Sequence, residues 1–147
     1  WLDRLVERLR EEAAEQVGGV LDVGGWRFRL QRARRTDVPA VVALLGDPIR
    51  CYPFGEAPQG VNDPYAVWQV VTGSPENYLQ DRPDVDRFDI QMDIYGKEQD
   101  DVLAIATAIR NALETRAYIT RWGGHTMDPD TKRWRVNFDV AFITSRT

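Results

Sequence analysis

The stretch Arg87–Arg116 constrains the fold most, because it spells an alternating strand that feeds a one-sided helix. Phe88, Ile90, Met92 and Ile94 are apolar, and Arg87, Asp89, Gln91, Asp93 and Tyr95 take the positions between them. Side chains alternate across a strand, so one face is spelled for burial and the other for water. Gly96 and Lys97 interrupt the pattern. Glu98, Asp100 and Asp101 then place negative charge where the free N–H groups and dipole of a helix start favour anions. Val102, Ile105, Ala106, Ile109 and Leu113 follow at three- and four-residue spacing, the stripe of an amphipathic helix. Two one-sided elements joined by a short turn bury their apolar faces most economically against each other. The expectation is a helix over 101–116 lying across an antiparallel sheet.

The flanking segments supply the other strands. Leu2, Leu5, Val6, Leu9, Ala13 and Val17 form a helical stripe that Gly18–Gly19 ends. Val20–Val23 and Trp26–Gln31 are strand-like, and Gly24–Gly25 between them can turn a hairpin. Thr36–Asp37 caps a short helix carrying Pro39 in its first turn, and Gly46–Asp47–Pro48 stops it. Ile49–Pro53 reads as a short strand whose proline points to an edge or a strand end, and Gly55–Pro64 as a loop. Tyr65–Val71 is rich in strong β-formers. Gly73–Arg87 reads as a long polar connection, and a loop of that length without periodicity is usually functional or mobile. Ala117–Trp122 predicts a short strand, Gly123–Gly124 a turn, and Met127–Thr131 a second turn. Trp134, Val136, Phe138, Val140 and Phe142 alternate with polar residues in the clearest strand of the chain. The fold expected is α+β: a two-layer sandwich of a mostly antiparallel sheet of about four or five strands with helices on one face.

A chain of 147 residues is the size of one domain that can bury a real core. No apolar run approaches the ~18 residues of a membrane helix, and the charged N-terminal stretch lacks the apolar run of a secretory signal. A single cysteine, Cys51, leaves no intrachain disulfide and fits a reducing compartment; with only His125 beside it, a zinc site is not expected. Residues 1–35 carry 8 basic and 6 acidic side chains, net +2, while residues 74–101 carry 3 basic and 9 acidic, net −6. An acidic segment of that weight argues against nucleic acid as a bound partner.

No catalytic constellation emerges. Asp89 and Asp93 share a strand face and could hold a metal or work as an acid–base pair, but alternating Asp on a strand more simply marks a solvated or charged contact face. Asp128, Asp130 and Thr131 lack the spacing, central glycine and terminal glutamate of a calcium loop. Neither a phosphate-binding loop nor a dinucleotide fingerprint is present. Arg27, Arg29 and Arg32, interleaved with Trp26 and Phe28, allow a nucleic-acid arm, a solvated strand face and linker, or a dock for the acidic segment of another subunit; the absence of a binding motif and the acidic chain favour the last two. The residues read as interface candidates are Tyr78 and Leu79, an apolar pair in polar surroundings, with the carboxylates Asp84, Asp86, Asp89 and Asp93 and the arginines Arg27, Arg29 and Arg32. The chemistry points to a binding or assembly protein, and no metal site is expected.

Several phrases, in order, carry a resemblance. They are Val41–Asp47 running into Ile49–Pro53; Ala57–Gly60 followed by Pro64–Gln69; Asp86–Arg87 with Ile90–Gly96; and Asp128–Val136 leading into the closing strand. Over residues 36–147 the chain resembles the tail terminator, or tail completion, family of long-tailed bacteriophages, with residues 1–35 as an extension. The resemblance implies a virion subunit without catalysis or cofactor, assembled in the host cytoplasm and located at the head–tail interface. Its implied partners are itself in a six-fold ring, the tail tube protein below, a head–tail connector protein above, and genomic DNA passing through the lumen without specific binding; no membrane is involved. Other readings are a different connector or tube-type ring protein, or a small-ligand-binding or enzymatic α+β domain sharing only the layout.

Overall fold

The computed structural model describes residues 20–23, 26–29, 37–114 and 116–146. The helical stripe of residues 2–17 and Arg32 lie outside the described residues. Strands β1 (Val20–Val23) and β2 (Trp26–Arg29) pair antiparallel, with Val23 opposite Trp26, as the hairpin reading expects. Helix α1 (Asp37–Leu45) follows, then β3 (Cys51–Pro53), β4 (Tyr65–Pro75), β5 (Val85–Gly96), α2 (Gln99–Leu113), β6 (Tyr118–Met127) and β7 (Trp134–Ser145). The main sheet has the order β3-β4-β5-β7-β6. Every pairing in it is antiparallel except β3 with β4, which is parallel, so the α+β expectation holds with one parallel edge. Pro53 does sit on an edge strand, where its missing N–H costs no ladder bond.

Ile90, Met92 and Ile94 of β5 and Val136, Phe138 and Val140 of β7 are buried under α2, which contributes Val102, Ile105, Ala106, Ile109, Ala112 and Leu113. The helix start carries Asp100 and Asp101 in its first turn, as the charge pattern anticipates, and begins at Gln99 rather than 101. Helix α1 packs beside α2 and adds Val41 and Leu45 to the same core. Gly46 ends α1 with a φ of +87°, its N–H donating to the Val42 carbonyl at 2.8 Å; glycine takes this left-handed conformation without a Cβ penalty.

Two differences from the sequence reading change the extent of long strands. Gly123–Gly124 is not a turn: β6 runs through it to Met127, and the register against β7 shifts between Trp122 and His125. The extra residue is a β-bulge, and the Asn137 side chain of β7 fills the space a Cβ on Gly123 would need. Gly123→Ala is therefore expected to cost ~1–3 kcal/mol through overpacking, read as a lowered urea midpoint, whereas Gly124→Ala, which meets nothing within 4 Å, should be nearly silent. Equal effects at the two glycines would remove Asn137 as the cause.

The second difference concerns residues 73–87. β4 continues to Pro75 and β5 begins at Val85, so only 76–84 is a connection. The twelve residues of β5 span ~40 Å at strand rise, whereas the fifteen of α2 span ~22 Å. Since α2 starts beside Gly96, the far ends of β4, β5 and β7 project beyond the helix layer.

Candidate assembly interface

At the projecting end the sheet keeps its pairing with no helix over it among the described residues. Pro75 pairs with Asp86 across β4–β5, and Asp86 with Thr144 across β5–β7. A bulge between Val70 and Thr72 breaks the β4 register, and Val70 and Val71 are exposed there. Tyr78 is 56% exposed and Leu79 fully so, both on the 76–84 connection. The sequence expectation of an apolar pair held out on a charged loop therefore agrees with the geometry. What differs is its mounting, a paired strand ribbon rather than a long free loop.

Arg146 fixes the base of this ribbon. Its guanidinium donates from Nε and Nη2 to the two Asp86 carboxylate oxygens at 2.8 and 2.6 Å, and from Nη1 to the Pro83 carbonyl at 3.1 Å. Its backbone N–H donates to the Asp84 carbonyl at 2.6 Å. The Asp84 side chain in turn faces Tyr78, and its negative charge raises the phenol above the ordinary value. Asp84 and Asp86 thus brace the loop that carries Tyr78 and Leu79.

The hydrogen bonds from Arg146 hold the Asp86 carboxyl below its ordinary 3.8. A carboxylate with a depressed folded pKa stabilises the fold above its unfolded pKa and loses that contribution as pH falls through the folded value. Asp86→Asn is accordingly expected to lower the urea midpoint at pH 6, with the gap from the parent narrowing below about pH 4. A gap that stays constant down to pH 2 would show that the carboxylate's charge is not the source.

Asp89 and Asp93 lie on the face of the sheet away from α2, as the alternation requires, but neither is a bare carboxylate. Arg87 donates to Asp89 at 3.0 Å, and Arg135 of β7 donates to Asp93 Oδ1 at 2.7–2.8 Å. Asp93 is buried at 2% exposure. The same face carries Arg121 on Asp139, Gln69 on Gln91, and a stack of Tyr65 on Tyr95 with Arg133 over Tyr65. Arg87, Arg135 and Arg146 thus offset the three carboxylates of β5, Asp89, Asp93 and Asp86. Arg27 and Arg29 fall on β2. Among the described residues, no group of three or more His, Cys, Asp or Glu side chains could hold a metal ion.

Sequence reasoning missed two features. Arg146 carried no signal, because the link to Asp86 spans sixty residues of chain. The other is a corner where α2 meets β6: Trp122 of β6 lies against Phe138 in a tilted pair with ring centroids 5.1 Å apart, and the Arg110 guanidinium of α2 lies 5.9 Å from the Trp122 ring. Trp122 nevertheless remains 48% exposed. An Arg–Trp pair on different elements has no sequence spacing to reveal it.

No helix of the described residues is long and apolar enough to cross a membrane. No curated protein matches the chain. The model of the tail completion protein gp17 family matches residues 29–145, a span that takes in Arg29, Arg32, every strand of the main sheet and helices α1 and α2. The match begins seven residues before Thr36 and so includes the end of the basic stretch. With four fifths of its length matched, in-order phrases and a five-stranded α+β sheet in agreement, the chain belongs to the tail completion protein gp17 family of phage tail structural proteins.

Proposed function

We propose that this protein forms a ring on the finished tail tube, ends its growth, and presents the surface that the DNA-filled head joins through its connector. The observation that carries the assembly part is the projecting end of the sheet, where Tyr78 and Leu79 stand exposed on a braced, acidic loop. Exposed apolar groups cost the isolated subunit nothing in packing and become favourable once another surface removes them from water. In this reading the ring is six-fold, the tail tube and a connector protein are its neighbours, and DNA crosses the lumen without being retained. No catalysis and no cofactor belong to it.

Sedimentation of the purified chain, with gold labelling of virions, tests the reading. The expected result is a discrete ring-sized species and label at the head–tail junction. A monomer at every concentration, with label elsewhere on the tail, would overturn it. Replacing both Tyr78 and Leu79 by serine is expected to leave thermal unfolding unchanged while weakening self-association by about 30-fold or more, the scale of an interface hot spot. A double variant that assembles like the parent would make the loop a solvated excursion.

A further inference from the structure

The corner between α2 and β6 has the opposite character to the projecting loop, and both edges of the sheet explain why contact would be made there through side chains. β3 is three residues long and ends in proline, and β6 is bulged at two places. Short, proline-bearing and bulged edges are poor templates for adding a strand. The corner, by contrast, is open. Helix α1 packs against α2, and the sheet is wider than two helices can roof, so β6 has no helix over it among the described residues.

Leu103, Thr107 and Arg110 recur at the i, i+4, i+7 spacing of one helix flank, and Arg110 over Trp122 shows that this flank faces β6. Trp122 and Met127 pair with Phe138 and Trp134, residues of the helix-facing side of β7, and so they lie on that side of β6. Leu103 is 37%, Met127 45% and Trp122 48% exposed. The corner is thus a largely apolar step, interrupted only by the small hydroxyl of exposed Thr107, with a cation at one end. That cation is little neutralised: Arg110 donates to the Asn111 amide oxygen at 2.7 and 2.9 Å, and its pair with Glu114 is long, 3.9 Å.

We infer that this corner is the seat for the 76–84 loop of a second copy of the chain, with Leu79 and Tyr78 against Trp122 and Leu103 and the loop's carboxylates toward Arg110. The proposal rests on the ring reading. The loop holds Glu76, Asp81 and Asp84 against one Arg82, net −2, so charge and apolar content are both complementary to the corner. A subunit cannot fill its own seat. The loop leaves the β4–β5 side of the sheet at the end beyond the helices, whereas the corner lies two strands away along β6, at the helix level. A ring closes through such heterologous contacts, one surface of each subunit meeting a different surface of the next. Opposite charge on the two surfaces sets register and disfavours like-with-like encounters.

The test combines Leu79→Cys with Leu103→Cys, both positions exposed and Cys51 buried out of reach, and treats the double variant with a short bismaleimide. The expected product is a ladder of cross-linked dimers, trimers and higher species with the double variant, and none beyond dimers with either single variant. In parallel, Arg110→Glu should weaken self-association about 10-fold or more, and Glu76→Lys with Asp81→Lys should restore it, while circular dichroism confirms folding of each variant. If the parent forms rings but the double-cysteine variant gives no ladder and Arg110→Glu assembles normally, the seat is elsewhere. Arg27→Gln, Arg29→Gln and Arg32→Gln abolishing assembly in that case would assign the acidic loop to the basic N-terminal stretch. A parent that stays monomeric at all concentrations fails the ring reading itself and this proposal with it.

Discussion

Replacing Phe138 by alanine is expected to destabilise the fold by ~3–5 kcal/mol, at the upper end of the range for large-to-small core substitutions. Phe138 is fully buried at the centre of β7, opposite Met92 on β5 and Trp122 on β6, beneath α2. Truncation removes a ring from the one place where three strands and a helix meet, and the long flanking strands, paired on both sides, cannot collapse into the void. Ile90→Ala, nearer the edge of the helix layer, should cost less, about 2–4 kcal/mol. Urea melts read by tryptophan fluorescence and circular dichroism check both. A Phe138→Ala midpoint within error of the parent would mean that α2 does not roof this part of the sheet.

Replacing Arg135 by methionine is expected to cost ~2–3 kcal/mol, below the ~3–5 kcal/mol of a fully enclosed pair because the Arg135 side chain is itself 41% exposed. Both contacts, from Nε at 2.8 Å and Nη2 at 2.7 Å, reach the same Asp93 oxygen, and Asp93 has almost no access to water. Loss of the cation leaves a buried carboxylate without its counter-charge, which is more costly than never having had the pair. The double change Asp93→Leu with Arg135→Met should therefore recover most of the loss. If single and double variants melt alike, desolvation of Asp93 is not the reason for the pairing.

The strand and helix at the centre of the chain were legible because both faces of each element are chosen locally. Phe88 to Ile94 can point one way only if Arg87 to Tyr95 point the other, and Val102 to Leu113 form a stripe at no period but the helical one. The exposed apolar residues were half legible. Tyr78 and Leu79 stand out because an apolar pair in a run of Glu, Asn, Gln, Asp and Arg has no local partner. Val70 and Val71 read as ordinary interior strand residues, since nothing local tells that the helix layer stops short of them. The seat at Arg110 and Trp122 was invisible for the same reason: its two halves come from different elements.

The extent of β4 and β5 shows where local pattern ends. Gly73, Ser74 and Pro75 have poor strand propensity, and they are extended because they lie in register with Phe88, Arg87 and Asp86, which β7 holds on the other side. Gly123–Gly124 carries a turn signal, yet β6 passes through it because the Asn137 side chain occupies the space that only glycine leaves. The sequence by itself determined the class of fold, the helix-facing side of each long strand and the apolar pair at the loop tip, since side-chain periodicity and burial are local choices. Only the tertiary structure decided the partners of the charges: Asp86 with Arg146, Asp93 with Arg135 and Asp63 with Arg133 are 60, 42 and 70 residues apart. Electrostatic pairing depends on distance in space, and a net charge counted along the chain holds no record of which opposite charge the folded sheet will bring beside it.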